Sequence, residues 1–225
     1  MLFFKKNLQA ISVNEETIIE IIATKSNYYL YQMEQRYQKM HGKKIENDIG
    51  RFKVVFMMAI YNILCGKRSE NINVDIKECT DKVKILYNAG EKKIGTDEKV
   101  FTEILVKSSF EEIKMINNIY IQKYNHDLVK AIEKEFSGKL RKLLKAIVRY
   151  SVDPAEYYAR IVNHAVKGLG SNNSLLIRTL VTRHEIDMPQ IREAYKRLFN
   201  KDMIKDIEDD TSGDYRKLLV KLASH

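Results

Sequence analysis

A chain of 225 residues carrying a net charge of +9 is long enough to bury a sizeable core and too long for a single small module. Two prolines and nine glycines, set against abundant Leu, Ile, Lys, Glu and Ala, favour helix throughout and leave no low-complexity linker. Two cysteines, Cys65 and Cys79, give neither a disulfide framework nor a C-x-x-C metal spacing, which suits a reduced compartment and an expected cytoplasmic location. The start, Met1 to Lys6, lacks the features of a secretory signal, and the longest apolar run, Val54 to Cys65, is too short to span a bilayer. The positive charge points to an acidic partner, nucleic acid or an anionic membrane surface, without choosing between them.

In chain order, Asn14 caps an expected helix to Lys25, with Ile18, Ile19, Ile21 and Ile22 on its apolar face. Tyr28 to Met40 gives a second helix. Arg51 to Leu64 gives a third, apolar almost all round and so expected to be buried. After the polar connection Gly66 to Asn73, a helix runs from Asp75 to Ala89 and ends at Gly90, which has the placement of a C-cap.

From Gly95 to Ile147 the sequence lies without a gap on Gly170 to Leu222, at a constant offset of 75. Sixteen of those 53 positions are identical, among them Tyr120 with Tyr195 and Ser137-Gly138 with Ser212-Gly213, which marks an internal repeat. Each copy divides into four helices. They run from Asp97 to Lys107, Glu111 to Tyr124 and Asp127 to Lys134, with a fourth after Ser-Gly; the later set is Asn172 to Thr182, Asp187 to Phe199 and Asp202 to Glu208, again with a helix after Ser-Gly. The helix before each glycine loop, Asp75 to Ala89 or Pro154 to Lys167, makes five. A worn first copy aligns at an offset of 83, placing Tyr37 on Tyr120, with Ile11-Ser12-Val13 in place of a glycine loop.

Gly95 precedes Glu135 by 40 residues, as Gly170 precedes Asp210. Five helices, a K-G-x-G-[TS] loop, an acid at that spacing and a D-x-S-G-x-x-R-x-L-L helix start together resemble an annexin repeat. Residues 75 to 150 are similar to the third repeat of that family, Val166 to Leu222 to the last, and residues 1 to 66 to a degenerate second, with no counterpart of the first. The resemblance implies an all-α, annexin-like array of five-helix repeats in a slightly curved right-handed superhelix. Its expected divisions are 1–66, 67–150 and 151–225. It also implies a non-enzymatic peripheral membrane protein that binds acidic phospholipid with Ca2+.

By the same resemblance, the carbonyls of Val166, Gly168 and Gly170 with the carboxylate of Asp210 hold one calcium. The carbonyls of Gly90, Lys93 and Gly95 with Glu135 hold another. The physical reading agrees: a helix C-terminus offers free carbonyls and the negative end of its dipole, and glycines let several carbonyls converge. One carboxylate per ion predicts weak intrinsic affinity, on the order of 10⁻⁴ M or weaker, so a lipid phosphate completes the shell. Leu169 and Ile94 at the loop tips, with Lys167 and Lys92 beside them, are the expected membrane contacts. A single such loop is more often a glycine helix cap with a solvent-facing acid; two copies at one spacing within a recognisable repeat reverse that and favour the ion. Asn47, where the first copy's acid would fall, leaves that copy without a site. The five histidines show no catalytic or metal spacing.

The competing reading is a calcium-independent scaffold for cytoskeleton or nucleic acid using the basic surface, with nucleic acid the less favoured partner. In the family, the first and fourth repeats pack together. Residues 150 to 225 are therefore expected to expose an apolar face open to self-association.

Overall fold

The computed structural model describes residues 15–45, 47, 54–167 and 172–225, and among these every regular element is a helix. The chain divides into two compact units, the first ending at Val152 and the second running from Asp153 to His225.

The first unit holds α1 (Glu15–Thr24), α2 (Asn27–His41), α3 (Val54–Leu64), α4 (Ile76–Ala89), α5 (Glu98–Lys107), α6 (Phe110–Tyr124), α7 (Leu128–Glu135) and α8 (Gly138–Val152). Helix α8 is its hub and packs against α6, α1, α7 and α5, while α3 packs against α5. Leu143, Leu144, Ile147 and Val148 make the buried stripe of α8. The second unit holds α9 (Pro154–Lys167), α10 (Asn173–Arg183), α11 (Met188–Phe199), α12 (Met203–Asp210) and α13 (Gly213–Ser224). There α9 packs on α11, α10 and α12, and α13 on α12 and α10.

The residues shared by the two later copies sit where the backbone demands them. Asp127 and Asp202 cap α7 and α12, each carboxylate accepting a backbone N–H of the first turn, an arrangement that stabilises a helix by about 1 kcal/mol. Asn125 and Asn200 end α6 and α11 in the left-handed region, at φ 59° and 52°. Gly138 and Gly213 open α8 and α13 at φ 60° and 61°, which a β-carbon would strain. The repeated tyrosines Tyr37, Tyr120 and Tyr195 are all fully buried, so the worn first copy keeps the same core position.

Most boundaries fall within a residue or two of the sequence expectation, the expected first residue often proving to be the N-cap, as at Asp75, Asp97 and Asp187. One expectation is corrected. Helix α3 buries Phe56, Ala59, Ile60, Ile63 and Leu64 but exposes Val54, Met58 and Tyr61, so it is apolar all round yet covered on one face. A second buried feature left no signal in the sequence. Arg68, in the connection from α3 to α4, is 5% exposed, lies over the Phe110 ring and donates to the Ala23 carbonyl in the last turn of α1. Burial lowers its pKa to about 10.

Candidate functional site

The earlier site begins where α4 ends. Gly90 N–H closes the last turn on Leu86, and the chain then leaves with the Gly90 carbonyl accepting from Lys93 N–H at 3.1 Å. Gly90 is a cap in function but not left-handed, at φ −121°. Its lack of a side chain serves a different need: a β-carbon there would lie 3.2 Å from Cγ and 3.4 Å from Cδ of Glu135. Glycine thus admits the acid from the end of α7 to the end of α4. Gly95, at φ +81°, turns the chain back so that Asp97 N–H reaches the Ala89 carbonyl at 2.7 Å. Ile94 at the loop tip is fully exposed, and Lys92 and Lys93 are exposed beside it.

Two residues to which the sequence assigned no role shape this loop. The Thr96 hydroxyl donates to Oε2 of Glu135 and lies 3.3 Å from the Glu135 carbonyl. Glu91, next to Gly90, turns inward and accepts from the Tyr120 hydroxyl, His126 and Lys134. Burial alone would raise the Glu91 pKa, but these three donors outweigh it and hold the carboxyl below its usual range. Thr96 was visible as the last letter of the K-G-x-G-[TS] motif. Nothing in spacing distinguishes Glu91 from the exposed lysines that follow it.

In the later copy, Gly168, Leu169 and Gly170 lie outside the described residues, so its loop is represented by Val166 and Lys167 at the end of α9 and by Asp210 at the end of α12. Those residues come together. Val166, Lys167, Lys201, Asp206, Asp209 and Asp210 line a pocket of about 240 Å3. Asp210 Oδ2 is buried with no hydrogen-bond partner, and burial raises the pKa of its carboxyl. Lys167 is exposed, with its ammonium 5.2 Å from the Phe199 ring centroid. The turn after Asp210 is held by Arg216, whose Nε donates to the Thr211 carbonyl at 2.6 Å. That bond gives a physical reason for the arginine of the D-x-S-G-x-x-R motif.

A buried carboxylate oxygen without a donor, beside the carbonyl end of a helix, suits a hard cation that takes oxygen ligands at ~2.3 to 2.6 Å. Glu135 over Gly90 offers the same donor chemistry. No group of three or more His, Cys, Asp or Glu side chains gathers as a metal cluster among the described residues, so a cation would depend on carbonyls and outside oxygens for most of its shell. No helix of the described residues is long and apolar enough to cross a membrane.

The fold defines a protein built from copies of one helical unit, in which the end of one helix is met by an acid ending another. A sequence model of the family described as Annexin matches residues 4–52, 82–147 and 157–222. Annexin A7 of Dictyostelium discoideum is 39% identical over 212 residues, 94% of this chain and 46% of that protein. Annexin A13 of Mus musculus is 33% identical over 223 residues, 97% of this chain and 69% of that protein. The solved structure of annexin III superposes with a TM-score of 0.92 at 33% identity, covering 99% of this chain and 69% of that one. The chain thus spans about half the length of the first relative and about two thirds of the other two. It belongs to the annexin family.

Proposed function

We propose that this chain binds acidic phospholipid surfaces peripherally through calcium held in its two interhelical loops, acting as a binding protein and not an enzyme. The observation that carries the reading is the delivery of an acid to a helix end in both copies: Glu135 against Gly90, and Asp210 with a buried, unpartnered oxygen beside Val166. Gly90, Lys93 and Gly95 with Glu135 supply the earlier site, and Val166, Gly168 and Gly170 with Asp210 the later one. Lipid phosphate completes each shell. The repeats run over 1–66, 67–150 and 151–225, and the protein is cytoplasmic until calcium recruits it.

Ile94 and Leu169 enter the interfacial region while Lys92 and Lys167 face acidic headgroups, each lysine contributing ~1 kcal/mol at best. An anionic leaflet concentrates the divalent ion beside it, so calcium, lipid and protein bind as a linked set. Sedimentation with phosphatidylserine vesicles tests this. Binding should appear with calcium and vanish with excess chelator; binding that survives the chelator would favour a calcium-independent scaffold instead.

A second copy is the proposed partner for the outer face of α10 and α13. Val181 is 48% and Leu218 57% exposed, whereas their counterparts Val106 and Leu143 are fully buried where α5 and α8 are covered by α3 and α1. A monomer at all concentrations by light scattering would count against this.

A further inference from the structure

We propose that Glu91 is the positioning residue of the earlier calcium loop, a strut that fixes Gly90–Gly95 against the helices behind it. This inference rests on the reading of that loop as a calcium site. Glu91 directly follows Gly90 and stands two residues before Lys93, so its backbone lies among the carbonyls that would bind the ion. Its side chain is only 5% exposed although it belongs to a surface loop. A carboxylate held so far from water is unfavourable unless donors satisfy it. Three do: the Tyr120 hydroxyl at 2.7 Å, His126 Nε2 at 2.9 Å and Lys134 Nζ at 2.9 Å.

None of the three donors belongs to the loop. Tyr120 comes from α6, His126 from the turn after it and Lys134 from α7. Tyr120 is fully buried, and His126 is itself fixed by its Nδ1 contact with the Tyr124 carbonyl at 2.7 Å. Lys134 immediately precedes Glu135, so one carboxylate links the loop to the helix turn that carries the site's acid. Loop carbonyls and acid are thereby set in one geometry before an ion arrives, which lowers the ordering cost of binding it.

The later copy separates this role from the general need of the core. Tyr195, the counterpart of Tyr120, is equally buried, but its hydroxyl donates to Asp206 on α12 at 2.6 Å. The residue that follows Val166, as Glu91 follows Gly90, is Lys167, which is exposed with its ammonium 5.2 Å from the Phe199 ring centroid. The fold can therefore satisfy this tyrosine from a helix. Only in the earlier copy is the carboxylate drawn from the ion-binding loop.

The test isolates each site. In an Asp210→Ala background, where the earlier site alone remains, Glu91→Ala and Glu91→Gln should raise the calcium needed for half-maximal binding to phosphatidylserine vesicles by about tenfold, as removal of an outer-shell partner does. In a Glu135→Ala background, the same changes should leave the calcium requirement unmoved. Glu91→Ala combined with Tyr120→Phe removes both halves of the buried hydrogen bond. It should recover thermal stability relative to Glu91→Ala without recovering calcium affinity. An unchanged calcium requirement in the first background, or recovery of affinity together with stability in the double variant, overturns the proposal. If the Asp210→Ala parent with Glu91 intact binds no calcium, the site reading itself fails, and the strut with it.

Discussion

Glu135 and Asp210 occupy the same place in two copies of one repeat, and they meet opposite surroundings. Glu135 arrives against a glycine and finds a donor, the Thr96 hydroxyl, on its Oε2. Asp210 lines a pocket at the end of α9, its Oδ2 is buried with no hydrogen-bond partner, and burial pushes its pKa up. The path of the chain delivers the acid in both; the local donors decide what the acid costs while the ion is absent. A buried polar atom left unsatisfied costs about 1 to 3 kcal/mol, so the later site carries a penalty that a cation would relieve. At the earlier loop Glu135 is already satisfied by Thr96, so on the proposed reading a cation would exchange one interaction for another.

The largest expected effect is loss of each site. Asp210→Ala and Glu135→Ala should each raise the calcium requirement for vesicle binding, by on the order of a hundredfold at the affected site. The double variant should bind no vesicles at any calcium level that leaves them intact. Equal binding by wild type and double variant would break the comparison at its root.

Stability without calcium gives the next effect, and here the two acids should differ in sign. Asp210→Asn removes an unpaired buried charge and should stabilise the second unit by about 1 kcal/mol. Glu135→Gln weakens a charge-assisted bond from Thr96 and should destabilise the first unit by about 1 kcal/mol. Hydrogen exchange resolved by unit separates the two. Changes of the same sign would show that the donors around each acid are not what distinguishes them.

Acid titration sharpens the contrast further. For Glu112 on α6, burial alone would raise the pKa, but Lys82 and Ser109 outweigh it and hold the carboxyl below 4.5. The stability it gives is therefore present above its unfolded pKa and is lost as pH falls through the lower folded value. Asp210 has the opposite shift. Its folded state binds the proton more readily, so without calcium the second unit should gain stability as pH falls through the raised pKa towards 3.8. Exchange protection around α4 and α6 should weaken in acid while that around α12 holds or improves. The reverse order would contradict the burial assigned to Asp210.

The smallest effect belongs to the loop tip. Ile94→Ala removes apolar surface that is fully exposed in the free protein and should weaken vesicle binding roughly threefold to tenfold. Calcium binding without lipid should not change. An Ile94 that can be replaced without effect on vesicles stays in water.

Much of the fold was legible because helix signals are local. Asp127 and Asp202, Asn125 and Asn200, and Gly138 and Gly213 are caps and turns whose chemistry is written in the residue itself, and the offset of 75 made each copy a check on the other. The site was legible as spacing, since the recurring interval pointed to a loop and an acid that the intervening helices bring together, with Thr96 and Gly90 meeting Glu135 in the earlier copy. What could not be seen was partnership across the fold. Glu91 and the exposed Lys92 are both charged loop residues; only the placement of Tyr120 and Lys134 behind the loop turns the first inward. Arg68 likewise looks like a linker cation until the Phe110 ring covers it. The exposed stripe Val54, Met58 and Tyr61 of α3 was invisible for the opposite reason, because an apolar periodicity does not say which face is covered.

The most direct test of the central claim is equilibrium binding of radioactive calcium in the presence of phosphatidylserine vesicles, on wild type, Asp210→Ala, Glu135→Ala and the double variant. The account predicts that each single change removes one site's share of the bound calcium and that the double change removes both. Calcium bound in full by the double variant would contradict it.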